Sequence, residues 1–172
     1  MMGYLKGKTV YLAGPIHDVT DDGKGWRDMI TPRLVNEFGI IVTDPTHKTI
    51  YGEVSDDKTL FNKLATDRKF DELRDRFWPV IRKDLRMVDK ADFLIALYSP
   101  NVKMLGTIHE LTVAQSQRKP TLLYCKDSEA GEINPWILTF AKKGCFFTDW
   151  EKIIEHLREV DKGNFDYDYW TL

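Results

Sequence analysis

Glu110 and Asp84 are the residues whose types and positions most directly point to chemistry. Glu110 follows Gly106-Thr107, and Leu111, Val113 and Ala114 continue a helical pattern from there to about Arg118. A helix start carries partial positive charge and unpaired N–H groups, so a carboxylate in its first turn stays ionised. An ionised carboxylate facing a crevice serves as a nucleophile or an electrostatic stabiliser. The same spacing fits a capping box, with Thr107 as cap and Glu110 answering it, so a structural glutamate stands beside the catalytic one. Asp84 falls between Ile81 and Val88 on a helix that Pro79 is expected to open and that runs to about Asp89. It shares the flank of an apolar stripe, Ile81, Leu85 and Val88, where an acid needs a partner or a purpose. An ion pair with Arg82, Lys83 or Arg86 is the structural alternative. One ionised carboxylate and one that holds its proton make a nucleophile and a proton donor. That pairing suits cleavage at an acetal-type carbon through an oxocarbenium-like transition state.

These side chains need a frame. Lys8–Ala13 reads as a buried strand running into Gly14-Pro15, and Gly39–Thr43 as a second ending at Asp44-Pro45. Asp92–Tyr98 closes at Ser99-Pro100, Pro120–Cys125 is a fourth strand and Cys145–Phe147 a short fifth. Between the first two, Trp26, Met29, Ile30, Leu34 and Phe38 recur at helical spacing, with Pro32 interrupting and Gly39 as C-cap. Asp149 caps a last helix that buries Ile153, Ile154 and Leu157. Thr46 to about Phe77 is a charged helical excursion, either a solvated one or a lid or oligomer contact. The tail from Asn164 to Leu172 is rich in aromatic residues, which serve core or interface packing. The strands are continuous apolar runs alternating with helices. That predicts an α/β, doubly wound, mostly parallel sheet of about five strands, covered on both faces, in one domain.

In such a fold ligands bind beyond the carboxyl ends of the strands. The residues placed there are Gly14 to Asp18, Asp44, Ser99 to Glu110, and Lys126 to Asn134. Tyr11 lies near this crevice, as a packing residue or a functional one. Gly14 is either a turn glycine or one that lets a ligand approach the backbone.

The 172 residues fit one domain on the prior of roughly 100–200 residues each. Apolar residues are 42% and charged residues 30%, ordinary for a soluble globular chain. A net charge of −2 provides no strong positive field, so a nucleic-acid polymer is not expected as partner. Cys125 and Cys145 sit in apolar runs and read as buried thiols in a reducing compartment. Neither an apolar leader nor a run of some 18 apolar residues is visible, so a cytoplasmic protein off the membrane is expected. The histidines, His17, His47, His109 and His156, are not clustered, and no metal site is expected. The G-x-S-x-G, phosphate-loop and dinucleotide-binding motifs are missing.

Three segments, in this order and spacing, resemble the nucleoside 2-deoxyribosyltransferase-like family, which includes 2′-deoxynucleoside 5′-monophosphate N-glycosidases. They are Thr9-Val10-Tyr11-Leu12-Ala13-Gly14-Pro15-Ile16, then Asp84 with Val88-Asp89-Lys90-Ala91-Asp92, then Gly106-Thr107-Ile108-His109-Glu110-Leu111-Thr112-Val113-Ala114. The resemblance runs from Lys8 to about Leu157 and is weakest over Asp56–Arg76. It implies a flavodoxin-like, Rossmann-like sheet and a reaction that needs no cofactor. It implies that Glu110 attacks the anomeric carbon of a 2′-deoxyribonucleoside, that Asp84 handles the proton of the departing base, and that Tyr11 positions the nucleophile. Gly14, Pro15, Asp44, Ser99 and Gly106 are the expected substrate contacts. Asn134 is similar to an asparagine that contacts the sugar, often of a neighbouring subunit. Base exchange is the first reading. Hydrolysis of the nucleoside or its monophosphate, and a non-catalytic nucleotide-binding module, are the alternatives. A homo-oligomer is implied, and the aromatic tail could complete a neighbour's site. The chain departs from the pattern at Met104, where transferases tend to carry an aspartate for the sugar and nucleotide hydrolases a serine for the phosphate. A thioether replaces neither well. Asn101, Lys103 and Lys126, with Lys24 and Arg27 from the first loop, are then the groups available to an anionic substrate.

Overall fold

The computed structural model describes residues 3–16, 19–47 and 58–170. His17 and Asp18, the middle of the charged excursion (48–57) and the last two residues of the tail lie outside the described residues. The strands are β1 (Thr9–Ala13), β2 (Ile41–Thr43), β3 (Phe93–Leu97), β4 (Thr121–Tyr124) and β5 (Phe146–Phe147). They pair in the order β2-β1-β3-β4-β5, every pair parallel, as expected of continuous apolar strands. The helices are α1 (Lys24–Phe38), α2 (Lys58–Thr66), α3 (Phe70–Lys90), α4 (Leu105–Ser116) and α5 (Trp150–Asp161).

Side chains alternate across the sheet and so divide the core in two. Val10 and Leu12 of β1, with Phe93 and Ile95 of β3, join Ile30 and Leu34 of α1 and Ile153 and Leu157 of α5. Tyr11 and Ala13, with Leu94 and Ala96, face the other way, toward Val88 of α3 and Leu111 and Ala114 of α4. The chain leaves β1 for one face and β3 for the other. The crevice between their carboxyl ends is therefore the switch point where such sheets bind ligands.

Three expectations about the helices change. Pro79 does not open its helix: α3 begins nine residues earlier at Phe70, and Pro79 lies inside it. Asp71 and Glu72 in the first turn complement the helix dipole and support that earlier start. The excursion thus continues into α3, and α2 packs Phe61 edge-on against Phe77 with ring centroids 5.0 Å apart. In α1, Met29 is 48% exposed, and Arg27 takes its place on the buried stripe with Ile30, Leu34 and Phe38. Gly39 does close α1, in the left-handed conformation at φ 67°, and donates its N–H to the helix end.

Both thiols are buried and free. Burial pushes the Cys145 thiol up to about 11. The aromatic tail packs on its own chain. Trp170 is buried against Phe93, with ring centroids 5.3 Å apart. The Tyr169 hydroxyl donates to the Thr121 carbonyl at 2.9 Å and accepts the Thr121 N–H at 2.8 Å. A further stack links Tyr124 to Trp150 (4.0 Å) and Trp150 to Trp26 (5.6 Å) between α5 and α1. No described helix is long and apolar enough to cross a membrane.

Candidate active site

A cavity of about 630 Å³ opens between the end of β1 and helices α3 and α4. Gly14, Pro15 and Ile16 form one wall, Phe77, Val80, Ile81 and Leu85 of α3 a second, and the first turns of α4 the third. Asp84 and Glu110 both line it, so the structure brings the two predicted carboxylates to one space. Each is there because of helical spacing. Thr107, Glu110, Leu111 and Ala114 share the buried face of α4. Asp84 follows Val80 and Ile81 by about one turn of α3.

Glu110 is 9% exposed, and the Tyr11 hydroxyl donates to its Oε1 at 2.7 Å. Tyr11 reaches it because the alternation along β1 turns this one polar-tipped residue toward α4. Burial, then the neighbouring carboxyl groups of Glu110 and Asp84 and the hydrogen bond to Glu110, raise the Tyr11 hydroxyl well above its ordinary value. Tyr11 therefore stays a donor. It also makes the fold sensitive to alkali. Above about pH 10 an unfolded tyrosine loses its proton while the folded one keeps it, so the native state binds more protons and stability falls as pH rises. Tyr11→Phe should flatten that fall in denaturant titrations from about pH 9 to 11, and should lower turnover roughly 10–100-fold by removing a hydrogen bond to a charged group.

The capping-box reading of Glu110 does not hold. Helix α4 starts at Leu105 with Met104 as its N-cap, and no side chain caps it. Glu110 is thus in the second turn, beyond the unpaired N–H groups. Met104 is buried, and its sulfur accepts the Ser99 N–H at 3.2 Å while the side chain lines the cavity.

The remaining expected contacts divide. Gly14, Pro15 and Gly106 line the cavity; Ser99 meets Met104 through its backbone. Asp44 lies in a separate cleft with Asp28, Thr31, His47 and Lys83. The Asn134 side chain caps a short 3-10 helix (Pro135–Phe140) by accepting the Trp136 N–H at 3.0 Å. Of the cationic groups, Lys103 lines the cavity, but Arg27 is fully buried and spent on backbone carbonyls, so it is not available to a substrate phosphate. Leu105 lies in the segment expected at the crevice, whereas the apolar lining from Phe77 and Val80 was not anticipated; Phe77 ends the charged helical excursion and Val80 follows Pro79. Among the described residues no group of three or more His, Cys, Asp or Glu could hold a metal ion.

The two glycines serve different ends. A Cβ on Gly14 would come within 3.0 Å of Trp26 Cζ2 and 3.4 Å of both Arg27 Nη2 and Leu97 Cβ. Gly14 therefore makes room for the protein's own side chains. A Cβ on Gly106 would meet nothing within 4 Å. Gly14→Ala should destabilise by about 1–3 kcal/mol through overpacking. Gly106→Ala should keep or slightly raise stability, since alanine favours helix, while its methyl intrudes on the cavity and raises KM. Thermal melts beside steady-state kinetics check the contrast.

The nucleoside 2-deoxyribosyltransferase family profile matches residues 10–155, which take in Tyr11, Asp84 and Glu110. The chain belongs to the nucleoside 2-deoxyribosyltransferase family. Members of this family are glycosyltransferases or N-glycosidases. Among solved structures, the 2-deoxyribosyltransferase of Bacillus psychrosaccharolyticus is 20% identical, with a TM-score of 0.55 over 92% of this chain and 93% of that one. A conserved protein of Enterococcus faecalis is 17% identical, with a TM-score of 0.57 over 89% and 98%. The CMP N-glycosidase of Clostridium botulinum is 16% identical, with a TM-score of 0.48 over 88% and 98%. No curated protein matches. The Bacillus and Enterococcus structures share the fold seen here.

Proposed function

We propose that the protein cleaves the N-glycosidic bond of 2′-deoxyribonucleosides by double displacement through Glu110 and transfers the deoxyribose to a second nucleobase. The observation that carries this reading is the Tyr11 hydroxyl bonded at 2.7 Å to a buried glutamate, in a cavity whose facing helix presents a second carboxylate. Tyr11 holds one oxygen of Glu110, and the attack on the anomeric carbon falls to the other. As the C–O bond to Glu110 forms, the C–N bond to the base breaks, and Asp84 delivers a proton to the departing nitrogen. A second base then attacks the glycosyl-enzyme and returns its proton to Asp84. Apolar walls from Phe77, Val80 and Ile81 suit a flat nucleobase and exclude water that would otherwise intercept the intermediate.

The proposed substrates are small molecules, nucleosides and free bases. The Met104 thioether and the apolar lining favour the nucleoside over its 5′-monophosphate. The test is incubation with deoxynucleosides, with and without an acceptor base, with products resolved by chromatography. New nucleoside only when acceptor is present supports transfer. Free base without acceptor assigns hydrolysis instead, and tight binding with neither product assigns a binding module.

A further inference from the structure

Arg27 is fully buried, and an arginine keeps its charge at any ordinary pH. Such a charge is costly to bury unless it is paired and hydrogen-bonded. Its guanidinium donates to the Leu12 carbonyl from Nε (3.2 Å) and Nη2 (3.1 Å), to Gly14 from Nη2 (3.1 Å) and to Gly23 from Nη1 (2.6 Å). It also lies over the Trp26 ring at 4.6 Å. All these acceptors are neutral. Among the described residues, the carboxylate paired with the guanidinium is Asp44, whose Oδ1 is 3.5 Å from Nε. Asp44 also accepts the Thr46 N–H and hydroxyl, each at 2.8 Å, and meets His47 Nδ1 at 3.0 Å. Burial weakens the hold of Arg27 on its proton, and Asp44, Tyr11, Glu110 and Asp21 oppose that, in this order. Charge interactions are mutual, so the guanidinium acts on Glu110 as Glu110 acts on it.

We propose that Arg27 is a positioning residue for Glu110: it fixes the backbone on either side of Ala13, from Leu12, next to Tyr11, to Gly14, which lines the cavity, and its charge favours the ionised carboxylate from behind the sheet. Asp44, expected from sequence as a substrate contact, is on this reading the counter-ion that sets how much of that field reaches Glu110. The inference rests on the proposed role of Glu110 as an ionised nucleophile. Among the described residues, the charged and titratable groups around Glu110 include Tyr11 from β1, Asp84 from α3, Arg27 from α1, and Lys103 and His109 around the start of α4.

The experiment follows the carboxyl carbon signals of ¹³C-glutamate-labelled protein against pH, with Glu110 assigned by the signal lost in Glu110→Gln. In Arg27→Met its midpoint should rise by about one unit, a tenfold change in the protonated-to-ionised ratio at a given pH. In Asp44→Asn it should move the opposite way by a smaller amount. Arg27→Lys should hold the wild-type midpoint yet melt lower, because a single nitrogen loses the planar fork whose Nε, Nη1 and Nη2 reach the carbonyls of Leu12, Gly14 and Gly23. The acid limb of kcat/KM should follow the same opposed shifts. A merely structural arginine would lower thermal stability in these variants and leave the midpoint in place. If Arg27→Met fails to fold, Arg27→Gln, which keeps two N–H donors for the carbonyls and loses the charge, should show the same rise. Midpoints unmoved within about 0.2 unit, or an upward shift in Asp44→Asn, would overturn the proposal. Wild-type protein that turns over no deoxynucleoside refutes the proposed reaction instead, and the titration still reads Arg27.

Discussion

Glu110→Gln should leave a folded protein whose turnover of deoxynucleosides has fallen by roughly four orders of magnitude or more. Glutamine keeps the shape of the side chain and an acceptor for the Tyr11 hydroxyl, which at 2.7 Å is the contact the site can least lose. What it removes is the negative oxygen that attacks. Glu110→Ala should be equally inactive but less stable by about 1–3 kcal/mol, since it leaves a buried hydroxyl without its acceptor. The structure makes this pair informative, because Glu110 lies in the second turn of α4 and caps nothing. A loss of helix nucleation cannot then be confused with a loss of chemistry. Turnover assays with far-ultraviolet circular dichroism on both variants check the prediction. Retained turnover in the glutamine variant would end the assignment of the nucleophile.

The second large effect concerns Asp84. Asp84→Asn should reduce kcat about 10²–10⁴-fold, the usual range for a lost general acid. The loss should depend on the leaving group. A base that departs readily without a proton should be cleaved by Asp84→Asn at close to the wild-type rate, and a poor leaving base should be hit hardest. The pH profile supplies the sign. A general acid works only while protonated, so on the proposed mechanism the wild-type rate should fall along an alkaline limb that the asparagine variant lacks. Equal losses across all bases would instead place Asp84 in binding alone. On the proposed mechanism, its position on the α3 wall, beside the apolar residues suited to a base, separates its task from that of Glu110.

Both carboxylates were legible in the sequence because helices and strands repeat at fixed periods. Tyr11 sits between Val10 and Leu12, which the sheet sends to the opposite core, and the register alone turns it toward α4. Glu110 shares a face with Thr107, Leu111 and Ala114 for the same reason. The start of α3 was not legible. Its first half carries only a thin apolar stripe, Phe70, Leu73 and Phe77, among charged and largely exposed residues, and Pro79 imitates a first-turn proline. Arg27 left a signal that hydrophobicity hides. It occupies the stripe position one turn before Ile30, where an apolar residue is expected, and a charge on a buried stripe marks a partner to be found. The nearby Met29 matched the expected type and is largely exposed. Asp44 and Asn134 follow strand ends or loops in the manner of ligand contacts. Which cavity a loop side chain enters depends on tertiary placement, which spacing does not encode.

The aromatic segment near residue 170 also bears on how this protein is made. Trp170 completes the α1 and α5 side of the core against Phe93, and Tyr169 supplies hydrogen-bond partners to the backbone of Thr121. A nascent chain emerges from the ribosome in order, so the strands and Glu110 are synthesised well before the residues that finish their packing. Phe93 and Thr121 therefore gain these partners only once Tyr169 and Trp170, made later, fold back on them.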